Sequence, residues 1–244
     1  MSAAPLLAIE GLAKSFGGLQ AVRDVSFQVG PRDIVGLIGP NGSGKTTVLN
    51  LVTGEFPADR GSIRLEGREL SGLKSFRISR ARITRTFQLV RVLPGMTVRE
   101  NVMIGRLFGA DPTSPARARA EVDEILARVG LRDRAEQLGA ELTYIDQKRV
   151  ELARALATRP RLLLLDEWLA GLNPAELEIG IALVRRIRDE GIAIIMIEHV
   201  MEAIRALCDH VVVMSAGALI ARGTPDAVLR DPEVARVYLG EGDA

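Results

Sequence analysis

The sequence predicts an α/β fold built around a mainly parallel sheet. Continuous apolar runs of strand length, the type buried on both faces of a sheet, occur at 34–38, 162–165 and 193–197. Helix-length segments over 45–52 and 175–190 separate them, and strands alternating with helices argue for parallel pairing.

In chain order, residues 6–37 carry alternating apolar positions (Leu7, Ile9; Val25, Phe27, Val29) that read as strands. The run at 34–38 leads through a glycine-rich turn into an apolar helix from Lys45 to Val52, stopped by Gly54. Residues 61–70 read as a further strand and 74–80 as a short helix. A helical region follows. Pro115 suits a first helical turn, and Val122, Ile125, Leu126 and Val129 share one face before Gly130 ends the pattern. Another helix spans 143–157, ahead of the strand at 162–165. The expected division is a core of 1–90 plus 160–244 with a mostly helical insertion of 91–159.

With 244 residues, the chain is long enough to bury a core of its own. Apolar residues at 47% and charged residues at 26% give the balance of a soluble globular protein. Lys plus Arg number 32 against 31 Asp plus Glu, so the basic excess of a nucleic-acid binder is missing and no nucleic acid is expected as a partner. The one cysteine, Cys208, excludes an internal disulfide and fits a reducing compartment. The longest apolar runs, 162–165 and 192–197, fall far short of the roughly 20 residues a bilayer span needs. The N-terminus lacks the basic start and long apolar stretch of a secretory signal. The expected location is cytoplasmic, peripheral on the inner face of the membrane, with any action there exerted through a partner.

Gly39-Pro40-Asn41-Gly42-Ser43-Gly44-Lys45-Thr46 matches the phosphate-binding pattern G-x-x-x-x-G-K-[ST] at every fixed position. Glycines let the backbone curl so that successive N–H groups point at phosphate oxygens. The helix beginning at Lys45 adds its positive N-terminal end. Lys45 suits the β- and γ-phosphates, and the Thr46 hydroxyl suits Mg²⁺; Thr47 lies beside it. A plain glycine-rich turn with a surface lysine would not need the buried strand before it and the apolar helix after it.

Asp166-Glu167 ends the apolar run at 162–165, and that end of a parallel sheet is where ligands bind. Asp166 suits Mg²⁺, and Glu167 suits a general base that polarises the attacking water. Alone, the pair reads equally as two solvated carboxylates; beside a phosphate loop, the functional reading leads.

At this point the residues resemble the ATP-binding subunits of ABC transporters over nearly the whole chain. The resemblance implies a P-loop NTPase core with a mainly parallel sheet, an N-terminal antiparallel β-subdomain and a helical subdomain insertion. It implies ATP and Mg²⁺ as cofactors, and hydrolysis at two composite sites in a head-to-tail pair with a second copy or a related ATPase subunit. By resemblance, Phe16 in Lys14-Ser15-Phe16-Gly17-Gly18 stacks on adenine. Gln88 in Arg85-Thr86-Phe87-Gln88 contacts Mg²⁺ or the attacking water and senses the membrane partner. His199 in Ile197-Glu198-His199 contacts the γ-phosphate. Each alone reads equally as an edge core residue, a surface amide and a structural histidine; their order and spacing carry the match.

The segments Phe16-Gly17-Gly18-Leu19-Gln20-Ala21-Val22, Ala170-Gly171-Leu172-Asn173-Pro174 and the ending Val237-Tyr238-Leu239-Gly240 look like importers of branched-chain amino acids. Such importers dock on integral permease subunits and take substrate from a periplasmic binding protein. Urea and short-chain amide importers, and a branch that extracts lipopolysaccharide, are near relatives.

Two places depart from the family pattern. The signature, usually Leu-Ser-Gly-Gly-Gln, opens a helix facing ATP on the other subunit; here it reads Leu142-Thr143-Tyr144-Ile145-Asp146-Gln147. Thr143 and Tyr144 are the residues expected to face that nucleotide. Ile145 adds bulk where a glycine is usual, and Asp146 adds a negative charge near a polyanion. Thr143 and Asp146 nevertheless form a T-x-x-D capping pattern. Trp168, the only tryptophan, stands where proline is common; it reads as a packing residue, or as one that shifts the Glu167 backbone or lines the dimer seam. The departures predict normal ATP binding with slow turnover for the chain alone.

A soluble ATPase of DNA repair or chromosome organisation would place a long coiled coil between Gln88 and Thr143, which are only 55 positions apart. A translation-type ATPase carries two such domains. A regulatory module that does not hydrolyse ATP is favoured by Ile145 and opposed by Glu167 and His199.

Overall fold

The computed structural model describes residues 4–111 and 113–239. The chain forms two compact units, Met1–Ser75 with Leu169–Ala244, and Phe76–Trp168. Met1 at the start and Gly240 of the quoted ending lie outside the described residues.

In the first unit, β1 (Leu7–Phe16) and β2 (Leu19–Val29) alternate as their apolar spacing predicts, burying Leu7, Ile9 and Leu12 against Val25, Phe27 and Val29. Gly17, at φ 56°, makes the reversal between them. β3 (Ile34–Ile38) has no exposed residue; each fully buried Ile or Leu there contributes about 1.5–3 kcal/mol. It runs through the glycine-rich turn into α1 (Lys45–Val52). The strand expected over 61–70 is instead a hairpin of β4 (Arg60–Leu65) and β5 (Arg68–Glu69). Glu66 and Gly67 are both left-handed, at φ 50° and 77°, and fold it back with Arg64 opposite Glu69. These strands form an antiparallel sheet in the order β2-β1-β4-β5.

After α2 (Ser75–Arg80), the second unit contains β6 (Ile83–Arg85), α3 (Val98–Phe108), α4 (Pro115–Arg128), α5 (Tyr144–Ala157) and β7 (Leu162–Asp166). The periodicity above does not delimit α3. Its signal is a capping box, Thr97 and Glu100 each satisfying the other's main-chain N–H. α4 starts on Ser114 and Pro115, and Val122, Ile125, Leu126 and Val129 are all buried on the predicted face. α3 and α5 pack at glycine contact: a Cβ on Gly105 would lie 2.2 Å from the Arg154 carbonyl oxygen. β6 and β7 pair in parallel, Thr84 opposite Leu163.

The chain then returns to the first unit through α6 (Pro174–Asp189), β8 (Ala193–Ile197), α7 (Met201–Leu207), β9 (His210–Ser215), β10 (Ala218–Gly223), α8 (Pro225–Leu229) and α9 (Pro232–Leu239). β3 lies between β9 and β8, parallel to both, with Val35 opposite His210 and Ile195. β10 adds antiparallel to β9. No helix of the described residues is long and apolar enough to cross a membrane.

Candidate nucleotide site

The phosphate loop owes its path to its glycines. Gly39, Gly42 and Gly44 have φ of 146°, 77° and 101°, conformations a side chain rarely adopts. At Gly39 a Cβ would sit 2.1 Å from the Met214 carbonyl oxygen, and at Gly44 2.3 Å from that of Ala21. The loop is braced from outside by Gly217, whose N–H donates to Ser43 O at 3.0 Å. Lys45 is buried, and its Nζ donates to Gly39 O at 2.7 Å and Pro40 O at 2.9 Å. α1 begins here with Gly44 at its N-cap, so no side chain caps the helix start. Thr46 is exposed beside it and Thr47 is half-buried; Asn41 and Gly42 form the open rim.

Ser43 tests whether this loop fits a polyphosphate. Its Oγ is buried and has no hydrogen-bond partner among the described residues. An unsatisfied buried hydroxyl costs about 1–3 kcal/mol. A phosphate oxygen in the loop would accept its proton, so the residues fit the group.

Phe16 ends β1 with its ring 41% exposed, open to stacking. Phe56, a residue the sequence pattern does not single out, meets it edge-on at 5.2 Å between centroids and 76° between planes. Lys14 lies 5.4 Å from the same ring and is tied to Asp59 at 2.7 Å. The Asp59 carboxyl is held below its ordinary range by that Lys14 bond and by the Ser15 N–H. His199 follows β8 and is exposed, while its neighbour Glu198 is fully buried and accepts from Leu169 N at 2.6 Å.

The C-terminal ending reaches the loop directly. Burial pushes the Tyr238 phenol above its ordinary value, opposed by a hydrogen bond from the Gly39 main chain. That bond joins Tyr238 of α9 to Gly39, the first residue of the phosphate motif, 199 positions earlier.

In the second unit, β7 delivers Asp166 and Glu167. Asp166 is almost wholly buried and bonded to the buried guanidinium of Arg85; its N–H donates to Thr86 Oγ1 at 3.4 Å. Glu167 stands at φ 52°, a left-handed conformation that costs a non-glycine residue roughly 1–2 kcal/mol. Its Oε2 accepts from Gln88 Nε2 at 2.8 Å. Gln88 and Glu167 thus meet, although 79 positions apart. Arg85 is a member of this group that the motifs do not reveal: in the sequence it stands only as part of the Arg85-Thr86-Phe87-Gln88 segment.

At the start of α5, Thr143 is the N-cap and accepts from Asp146 N. The T-x-x-D pattern is realised in half. Asp146 Oδ2 accepts a hydrogen bond from the Thr143 hydroxyl at 2.8 Å rather than reaching back to the Thr143 N–H. Its expected negative charge is also answered, because the buried carboxylate bonds Arg134 and Arg149. Tyr144 is 54% exposed and Ile145 half-buried. Trp168 is 3% exposed, which fits its reading as a packing residue.

No group of three or more His, Cys, Asp or Glu among the described residues could hold a metal on its own.

Comparison with known proteins agrees with this geometry. The family model described as ABC transporter matches residues 22–170, and that described as Branched-chain amino acid ATP-binding cassette transporter matches residues 218–244. The chain is 41% identical to the high-affinity branched-chain amino acid transport ATP-binding protein LivG of Salmonella typhimurium, covering 97% of this chain and 98% of the relative. It is 40% identical, with the same coverage, to the corresponding protein BraF of Pseudomonas aeruginosa. The crystal structure of a nucleotide-free ATP-binding cassette from an ABC transporter superposes with a TM-score of 0.89 at 31% identity, covering 98% of this chain and all of the other. A phosphate loop with an unspent buried hydroxyl, a carboxylate pair ending a buried strand, and these likenesses over nearly the full length lead to one conclusion: the chain belongs to the ABC transporter family as an ATP-binding subunit, an ATPase whose hydrolysis is coupled to transport.

Proposed function

We propose that this subunit powers import of branched-chain amino acids or related small amides, working as half of a head-to-tail pair docked on permease subunits. The match of residues 218–244 to the branched-chain amino acid model supports the substrate class, as do the names of the relatives. The single observation that carries the nucleotide chemistry is the buried Ser43 hydroxyl inside the glycine-built loop, without a partner among the described residues.

In this reading, Phe16 stacks on adenine and the main-chain N–H groups of 39–46 receive the phosphates. Lys45 leaves the Gly39 and Pro40 carbonyls for the β- and γ-phosphate oxygens. Thr46, Asp166 and Gln88 would hold Mg²⁺, which would offset phosphate charge. Glu167 takes the proton of the attacking water, Gln88 orients that water, and His199 bonds the γ-phosphate. Thr143 and Tyr144 face the nucleotide of the partner copy; Ile145 narrows that approach and slows turnover of the chain alone.

The helical insertion of 91–159 and the residues after Gln88 receive the permease. A cavity of about 240 Å³, bordered by Phe87, Phe108, Glu151 and Arg154, supports this. Phe108 is 77% exposed, and Glu151 Oε2 is buried without a hydrogen-bond partner among the described residues. A basic or amide group on the docking permease would satisfy it.

Reconstitution with permease subunits and a periplasmic binding protein tests the reading. ATP hydrolysis in proteoliposomes is expected to rise when the binding protein carries leucine, isoleucine or valine. Hydrolysis indifferent to every amino acid and amide tried would overturn the substrate class. A chain that binds ATP but never hydrolyses it, even when assembled, would return the reading to a regulatory module.

A further inference from the structure

The Glu167 side chain is addressed by Gln88, but its main chain is held from elsewhere. Lys148, on the first turns of α5, is only 3% exposed. Its Nζ donates to Trp168 O at 3.0 Å and is 3.4 Å from Glu167 O. In return, the Trp168 indole N–H donates to Lys148 O at 3.1 Å. The side chain of each residue thus bonds the main chain of the other. Both are buried, and Glu167, in its left-handed conformation, sits directly beside the closed ring.

Three features give this arrangement more than a packing role. Burying an ammonium is costly unless its donors are satisfied, and here the consecutive carbonyl oxygens of Glu167 and Trp168 accept from it. An indole N–H fixed to a helix carbonyl orients a rigid ring with few rotatable bonds. Finally, Lys148 rides on the helix whose cap is Thr143, one turn from Tyr144, whose ring lies 5.1 Å from Nζ. Movement at the start of α5 therefore pulls on the peptide that follows Glu167.

We propose that Lys148 and Trp168 form a reciprocal clasp that sets the main-chain conformation of Glu167 and ties it to the signature end of α5, making Lys148 a positioning residue for hydrolysis. The inference rests on the reading of Glu167 as the general base. It assigns Trp168 a function in place of a chance substitution: its carbonyl and its N–H are the two halves of the clasp. Nucleotide binding does not pass through this contact, so its loss acts on turnover and not on affinity.

The test compares Lys148→Met, which keeps the stem and removes the donors, with Lys148→Arg, which restores them. Turnover, nucleotide affinity by calorimetry and thermal stability are measured on the full chain. Acrylamide quenching of Trp168, the sole tryptophan, reports whether the clasp has opened. Lys148→Met is expected to lower kcat by about 10²-fold, the scale of a small misplacement of a catalytic group. ATP affinity stays unchanged, Trp168 becomes more quenchable, and Lys148→Arg recovers most of the turnover. Parent-like turnover in Lys148→Met overturns the clasp, as does a loss shared equally by turnover, affinity and stability that arginine does not restore. Glu167→Gln run alongside separates the two readings. Its turning over like the parent removes the base assignment and this inference together, whereas an inactive Glu167→Gln with an unimpaired Lys148→Met removes the clasp alone.

Discussion

Arg85 Nη2 bonds Asp166 Oδ2 with both side chains out of solvent, at 5% and 2% exposure. The guanidinium ends β6, the carboxylate ends β7, and the parallel register that sets Arg85 opposite Leu164 brings the two strand ends together. Without a cation from solution, Arg85 is the charge that makes burial of Asp166 tolerable. Removing one member of such a pair costs about 3–5 kcal/mol, because the other is left charged in a poor solvent for charge. Arg85→Met is therefore expected to lower the denaturation free energy by about that amount, measured by denaturant titration. The double variant Arg85→Met with Asp166→Asn should recover much of the loss, since neither charge then remains.

Ser43 makes a prediction of opposite signs. Ser43→Ala removes a buried hydroxyl that has no partner among the described residues, so stability without ATP should rise by about 1 kcal/mol. ATP affinity should fall, because in the proposed function the same hydroxyl serves a phosphate. Thermal melting with and without nucleotide reads both effects; a shift of the same sign in both would contradict the assignment.

Glu121 contributes an acid-sensitive part of the stability. Its carboxyl is lowered from 4.5 to about 2, chiefly by its bond to Arg106, with further help from Arg117 and Arg159 and opposition from burial. Arg117 Nε and Arg159 Nη2 reach its Oε1 at 2.9 and 2.8 Å. A depressed acid stabilises the fold when ionised. The contribution is thus complete above about pH 4.5 and lost as pH falls toward 2. Melting temperature against pH should decline across that window, and Arg106→Met should flatten the decline.

Cys208 should be inert in the folded protein. Burial, with the nearby charges of Asp209 and Glu198, pushes its thiol up to about 12. The thiolate is the reactive species, so iodoacetamide at mildly alkaline pH should leave the native chain unmodified and alkylate it fully in denaturant. Rapid native labelling would show that α7 and its C-terminal end open readily.

Much of the architecture was legible because it is written in short-range patterns. Residues 34–46 state a strand, a loop and a helix in sequence, and each depends on neighbours within a few positions. The four apolar residues of α4 marked their buried face for the same reason. The hairpin at Glu66-Gly67 was less plain, because apolar positions continue on either side and only the two left-handed residues break the strand. α3 hid behind a mixed pattern; its capping box at Thr97 and Glu100 was the available signal.

By itself, the sequence determined that a loop matching the phosphate-binding pattern follows a buried strand, that two carboxylates end another, and that the chain resembles the ABC family. The tertiary structure alone decided what each of these groups leans on: Arg85 on Asp166, Tyr238 on Gly39, Lys148 on the carbonyls beside Glu167, and nothing on Ser43 Oγ among the described residues. The reason is physical. A motif specifies which atoms are available over a few residues, whereas satisfying a buried charge or donor depends on partners brought in from 20 to 199 positions away, and only the folded chain brings them together.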